Sequence, residues 1–342
     1  MKHGMGRRTF CGLAAALAIL TGAVPASAAD KIKYGMLRVP SALFVAMEKG
    51  YFAAEGIEVS PIFFRSGAEL VPSLSTGQLD AAATSPGAAL YNAMAQGVNA
   101  VIVADYYVLD RDQPGGDPNG VIVRKDLVDS GKIKTASDLK GTTIAITARG
   151  QVTDLFAGML LGSGGLTAKD ARIVQMPYPD MLAALQGKSI DVAVAVDPFM
   201  TIAENEGFAV HFRGMADVVP GLNLGVVMYG DRMGKKDRAL GMRFMKAFDK
   251  GNTYLRKRLR EPGGRAEIAE IYQKHLPLKT QAMYEKVSLG LGREHLMVDV
   301  EGRYGLRWQL KWYTDLGLVP KQPDLKTGVD NSFAEAAAKA NQ

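Results

Sequence analysis

After residue 29, short apolar runs alternate with helical patterns, and this alternation narrows the possible folds more than any other feature of the chain. Strands are expected over residues 32–37, 59–64, 79–83 and 100–104, with helices over 41–49, 68–74 and 87–95 between them. Gly50 and Gly97 stop the first and third of these helices. Strands separated by helices at this spacing argue for parallel sheets covered on both faces. The alternation then breaks at Asp112-Gln113-Pro114-Gly115-Gly116-Asp117-Pro118-Asn119-Gly120, the richest turn-forming stretch in the chain. It resumes with strands expected over 120–123, 143–146, 171–175 and 192–196. Pro220-Gly221-Leu222-Asn223 reads as a crossing back, and from residue 238 the pattern is mostly helical.

A chain of 342 residues, 47% of them hydrophobic, is long enough for two lobes of roughly 100 to 200 residues each. The expected architecture is two α/β lobes joined by two crossings, with a ligand cleft between them. Lobe 1 would take residues 29–113 and 224–342, and lobe 2 residues 114–223. The lobes also echo each other: Leu79-Asp80-Ala81-Ala82 is followed by Pro86, and Ile190-Asp191-Val192-Ala193 by Pro198.

Residues 1–28 read as a secretory signal peptide. Arg7 and Arg8 precede an apolar stretch over 11–24 that ends at Ala26-Ser27-Ala28, a small-residue cleavage site. Arg7-Arg8-Thr9-Phe10 also fits a twin-arginine signal, and the two export routes stay open. Cleavage after Ala28 would remove Cys11, the one cysteine, leaving no thiol for disulfides, zinc-thiolate sites or nucleophilic catalysis. His211, His275 and His295 show no ligand-like spacing, so no metal or other cofactor is expected. Of the net charge of +6, three positive charges (Lys2, Arg7, Arg8) fall in the leader, and the remaining +3 is too mild to suggest nucleic acid. The densest basic run, Arg256-Lys257-Arg258 with Arg260, reads as a solvated helix face or as a surface that docks on an acidic partner.

In open parallel sheets, ligands bind outside the carboxyl ends of the strands, where the next helices begin. Ser41 after Pro40, Ser66-Gly67-Ala68-Glu69, and Ser85-Pro86 mark three such helix starts. Their free backbone donors would favour an electron-rich group, and each serine reads equally well as a simple cap. In the second lobe, Arg149-Gly150-Gln151-Val152-Thr153 follows an expected strand, with Arg149 either a cleft cation or a solvent-facing side chain. Asp197 beside Pro198 and Phe199 is either a cleft carboxylate or a helix cap. Tyr106, Tyr107 and Tyr178 offer flat walls with hydroxyl tips.

Ala46-Met47-Glu48-Lys49-Gly50-Tyr51-Phe52-Ala53-Ala54-Glu55-Gly56-Ile57-Glu58-Val59 resembles the opening helix and second strand of the periplasmic binding proteins for nitrate, sulfonate, taurine and thiamine-precursor uptake, the NMT1-like family. Leu74-Ser75-Thr76-Gly77-Gln78-Leu79-Asp80, Asp138-Leu139-Lys140-Gly141-Thr142-Thr143-Ile144-Ala145, Trp312-Tyr313-Thr314-Asp315-Leu316-Gly317-Leu318 and Val329-Asp330-Asn331-Ser332-Phe333 are also similar. The resemblance implies a type II periplasmic-binding fold in a periplasmic, monomeric receptor. Such a receptor captures a small molecule, a sulfonate, carboxylate, nitrate-like anion or heterocycle, and presents it to an ABC permease in the inner membrane without chemistry. It further implies ligand contacts at Pro40 and Ser41, at Thr84 and Ser85, and at Gly150 to Thr153. Asp197-Pro198-Phe199 departs from the Trp-Glu-Pro often found there. The alternative is an enzyme of cofactor biosynthesis on the same fold, for which neither the expected cysteine-rich motif nor a Ser-His-Asp pattern is visible.

Overall fold

The structure is a computed structural model that describes Met1 and residues 28–342; the leader with its twin arginines and Cys11 lies outside the described residues. The strands are β1 (Asp30–Leu37), β2 (Ile57–Phe64), β3 (Ala81–Thr84), β4 (Ala100–Val108), β5 (Asn119–Arg124), β6 (Thr143–Ile146), β7 (Arg172–Gln175), β8 (Val192–Val196), β9 (Ala209–Gly214) and β10 (Asn223–Gly230). They form two five-stranded sheets, ordered β2-β1-β3-β10-β4 and β7-β6-β8-β5-β9. The helices that position the cleft are α1 (Ala42–Glu48), α2 (Leu70–Ser75), α3 (Ala88–Ala95), α4 (Val152–Ser163), α5 (Tyr178–Gln186), α6 (Phe199–Asn205), α7 (Arg238–Arg258), α8 (Gln281–Lys286) and α9 (Leu306–Asp315).

The expectation of purely parallel sheets is corrected. Strands β1, β2 and β3 pair in parallel, but β10 runs antiparallel to both β3 and β4. In the other sheet β5 runs antiparallel to β8 and β9. The reason lies in the connections: β5 and β10 are the strands that arrive from the opposite lobe, so each enters its sheet from the reverse end. Strands β9 and β10 were not foreseen. All eight residues of β10 are buried, so it lacks the period-two alternation that reveals a half-exposed strand.

The sequence echo corresponds to a repeated structural part. Asp80 precedes β3 and accepts a hydrogen bond from Lys33 N of β1 (2.8 Å), while Asp191 precedes β8 and accepts one from Thr143 N of β6 (2.9 Å). Each carboxylate also meets an arginine, Arg232 at 3.2 Å and Arg124 at 3.0 Å. An aspartate just before a central strand thus satisfies a backbone amide of the neighbouring strand in both sheets.

The chain passes from the first sheet to the second between Val108 and Asn119 and returns between Gly214 and Asn223. Leu109 N donates to Leu222 O (3.0 Å), tying the two crossings together. The segment after α8 runs along them, with Leu289 N bonded to Gly115 O and Val108 N to Leu291 O. Behind the first sheet, α7 stacks Phe248 on Tyr106 and Phe244 on Tyr34, an aromatic column from the core to the cleft. Among the described residues, no helix is long and apolar enough to cross a membrane.

Candidate functional site

Between the lobes lies a cavity of about 70 Å³, built from strand ends and helix starts of both sheets. The first lobe contributes Leu37 at the end of β1 and Val39 after it, Gly67 before α2, Ala83, Thr84 and Ser85 at the end of β3, Tyr106 and Tyr107 on β4, and Leu224 and Gly225 on β10. The second contributes Asn119 at the start of β5, Thr147 after β6, Gln151 and Val152 at the start of α4, Tyr178 at the start of α5, and Val196 on β8.

Tyr106 and Tyr107 are consecutive, and in a regular strand their side chains would point to opposite faces. Here β4 is bulged: Gly225 pairs with Tyr107 and Val226 with Asp105, so Tyr106 has no opposite number. The extra residue re-aims the strand, and both rings line the cavity, stacked with centroids 4.2 Å apart. Gly225 makes room for this, since a Cβ there would sit 3.1 Å from Tyr106 Cδ1. Burial pushes the Tyr106 hydroxyl up to about 12 and raises those of Tyr107 and Tyr178 as well, so all three are neutral donors at ordinary pH.

Three buried polar groups of this lining, Tyr106 Oη, Tyr107 Oη and Asn119 Nδ2, make no hydrogen bond of good geometry among the described residues, although the Tyr106 hydroxyl lies close enough to Ser41 and Tyr107 for both to lower its pKa. Such groups cost about 1–3 kcal/mol each when left unpaired, and an acceptor atom in the cavity would recover that. No Asp, Glu, Lys, Arg, His or Cys lines the cavity. Among the described residues, no cluster of three or more His, Cys, Asp or Glu is arranged to hold a metal ion.

Of the expected site residues, Gly67, Thr84, Ser85, Tyr106, Gln151 and Tyr178 line the cavity. Ser85 Oγ donates to Gln151 Oε1 across the cleft (2.7 Å), and Thr84 Oγ1 donates to Gly67 O (3.3 Å). Ser41 and Ser66 are caps, accepting from Leu43 N and Ala68 N, and Pro40 is buried beside Val39 without reaching the cavity. Thr153 lies one layer behind, where Oγ1 accepts from Thr147 N (3.0 Å) and meets Thr147 Oγ1 (2.7 Å), so Thr147 takes the lining position instead. Gly150 contributes its carbonyl, which accepts from Ala88 N of the first lobe (2.7 Å).

Both charges sit outside the cavity, which is the second of the two readings open to each. Arg149 turns away from the cavity, and its Nη1 meets Asp154 Oδ1 at 2.6 Å in an outer groove beside Trp312. Asp154 sits in the first turn of α4 and also accepts from Gly150 N (2.9 Å); a carboxylate near a helix N-terminus is favoured there by the dipole, and it draws the guanidinium with it. Asp197 faces α6 and α8. Oδ1 accepts from Thr201 N and Oγ1, both 2.9 Å, and Oδ2 from Ser288 N at 2.7 Å, while burial raises its pKa.

Leu37, Val39, Ala83, Asn119, Thr147, Val196, Leu224 and Gly225 were not anticipated. Asn119 carried the one available signal, a place in the turn-rich crossing, but it was read only as a turn former.

The model of the NMT1-like family matches residues 30–259. A protein of Brucella abortus, named provisionally as a binding protein, is 28% identical over 222 residues, and the match spans 63% of this chain and 63% of that relative. The periplasmic nitrate-binding protein NrtA from Synechocystis PCC 6803 superposes with a TM-score of 0.76 at 14% identity, covering 91% of this chain and 89% of its own. The alkanesulfonate-binding protein SsuA from Xanthomonas axonopodis pv. citri gives 0.69 at 17%, covering 88% and 98%. The desulfurization enzyme DSZB gives 0.65 at 15%, covering 92% and 100%. At these identities the likeness establishes the two-lobed fold, which binding proteins and an enzyme share.

Proposed function

The chain belongs to the NMT1-like family, and from that premise we propose that it is the periplasmic substrate-binding subunit of an ABC importer, which closes on a small uncharged molecule and hands it to an inner-membrane permease. The first lobe in this reading is residues 29–113 with 224–342, the second 114–223. One observation carries it: a cavity lined by both lobes, bridged by direct contacts between them, and holding buried donors without well-placed partners. The leader motif in the sequence supports export.

The ligand class follows from the donors. A buried anion needs a cation or several free N–H groups. Four of the N–H groups at the helix starts are already bonded, Leu43 N to Ser41, Ala68 N to Ser66, Ala88 N to Gly150 O and Gly150 N to Asp154. The side-chain donors of the lining are neutral hydroxyls and amides between apolar walls, with no cation among them, a setting that suits an uncharged, planar heterocycle with acceptor atoms better than a nitrate or sulfonate. The lining has none of the carboxylate, imidazole or thiol groups from which acid–base or nucleophilic catalysis is usually built, which supports binding without turnover over the enzyme reading.

A thermal-shift screen of neutral pyrimidines, taurine and nitrate tests this. A compound present at 100 times its Kd adds about 2.7 kcal/mol of stability. Stabilisation by an uncharged heterocycle, recovered unchanged after incubation, is expected. Stabilisation by taurine or nitrate alone would overturn the ligand class, and conversion of a stabilising compound to product would overturn the receptor reading.

A further inference from the structure

Beside the cavity, the lobes meet backbone to backbone. Gly87, the residue before α3, lies against Gly150, which ends the loop between β6 and α4. A Cβ built on Gly87 would stand 2.6 Å from Gly150 O, 3.0 Å from Gln151 Nε2 and 3.1 Å from Gln151 Cδ. Its three nearest neighbours therefore all belong to the other lobe. One of them is a carbonyl oxygen, which no side-chain rotation moves aside.

The first lobe itself does not require glycine here. Gly87 has φ −96° and ψ 176°, extended backbone that any residue adopts. Gly150 is different: its φ of +73° favours glycine for local reasons, and a Cβ there would also strike Ala88 Cβ at 2.8 Å. Position 87 thus isolates the contact between lobes from the fold of either one.

We propose that Gly87 is the positioning residue that sets how closely the lobes shut, its missing side chain being what lets Ala88 N reach Gly150 O and Ser85 reach Gln151. The inference rests on the reading of this protein as a closing receptor and adds a residue that governs closure without lining the cavity. A methyl group at this position forces the lobes apart by a few tenths of an ångström or more, and a valine forces them further.

The experiment needs no ligand. Arg65 and Asp180 form an exposed ion pair between the lobes at 2.6 Å. Arg65→Cys and Asp180→Cys are introduced into the full chain carrying Cys11→Ser, and a short bis-maleimide then traps each visit to the closed arrangement. Adding Gly87→Val is expected to slow trapping at least about tenfold, in line with the cost of overpacking, and Gly87→Ala to give an intermediate rate. Both variants should keep the parent's far-UV circular dichroism and cooperative unfolding. Gly162→Ala, whose Cβ meets nothing within 4 Å, serves as the control with an unchanged rate. Equal trapping rates in Gly87→Val and its parent overturn the proposal, as does a parent pair that never cross-links. Because trapping is read without any small molecule, its failure is distinct from failure of the ligand screen.

Discussion

After β3 the first lobe presents Ser85 to the cavity, whereas after β8, the corresponding strand of the second sheet, Asp197 turns aside to hold Thr201 and Ser288. At the end of β1 the first lobe brings Leu37 and Val39 to the cavity; after β6 the second brings Thr147 and Gln151 but sends Arg149 outward to Asp154. Two sheets of the same strand order therefore furnish the cleft differently. Charge is neutralised outside the cavity by carboxylates or backbone amides, and the neutral groups are left facing it. The comparison teaches that a charged residue at a strand's carboxyl end need not be a ligand contact. The first helical turn beyond it can supply a partner closer than any ligand.

The largest expected effect separates the cavity from its surroundings by pH. Asp105, one residue before Tyr106, is fully buried, and its pKa is pushed up to about 7 by burial, against the pull of Arg293 and Arg256. The folded protein holds this proton more tightly than the unfolded chain, whose aspartates titrate near 3.9. Stability from this group is therefore full below about pH 4 and is lost as pH rises towards 7, on the order of 3 kcal/mol between pH 5 and 7. Urea unfolding at the two pH values should show this loss, and Asp105→Asn should flatten it. Binding measured by calorimetry should stay level over the same range, because the tyrosines lining the cavity remain protonated. A steep change in affinity would place a titrating group in the site and break the contrast.

Next in size is Asp154→Ala, which strips Arg149 and Gly150 N of their shared partner. A loss of about 2 kcal/mol in unfolding free energy is expected, with the ligand class unaltered. Asn119→Leu removes an unpaired donor of the cavity, and should weaken the heterocycle found by the screen about tenfold, by the loss of one buried hydrogen bond. The stability of the unliganded protein should fall little or rise. The smallest effect belongs to Arg149→Ala, whose guanidinium is half-exposed and outside the cavity. Affinity within about twofold of the parent is expected, since an exposed ion pair contributes only about 0–1 kcal/mol. A thirtyfold loss would return Arg149 to the cleft.

Local signals carried much of the fold. Ser41 and Ser66 cap the elements whose starts they marked, because an N-cap is decided by a side chain and an amide two or three residues away. Strands over 143–146 and 192–196 fall where their β-branched runs indicated. By contrast β9 and β10 were missed, and the antiparallel strand in each sheet followed from the crossings rather than from residue pattern. Thr147 displaced Thr153 because the two hydroxyls bond to each other and only one can face the cavity.

The sequence by itself determined two α/β lobes, two crossings rich in turn formers, the capped helix starts around a cleft, and the family. These rest on contacts within a few residues or on motifs that span whole elements. Tertiary structure alone decided that the cleft is uncharged. Arg149 and Asp197 each found partners in the packed molecule, and the β4 bulge against β10 turned two consecutive tyrosines the same way. A side chain's charge and type are fixed by the chain, but where it points is settled by whichever partner the fold brings nearest.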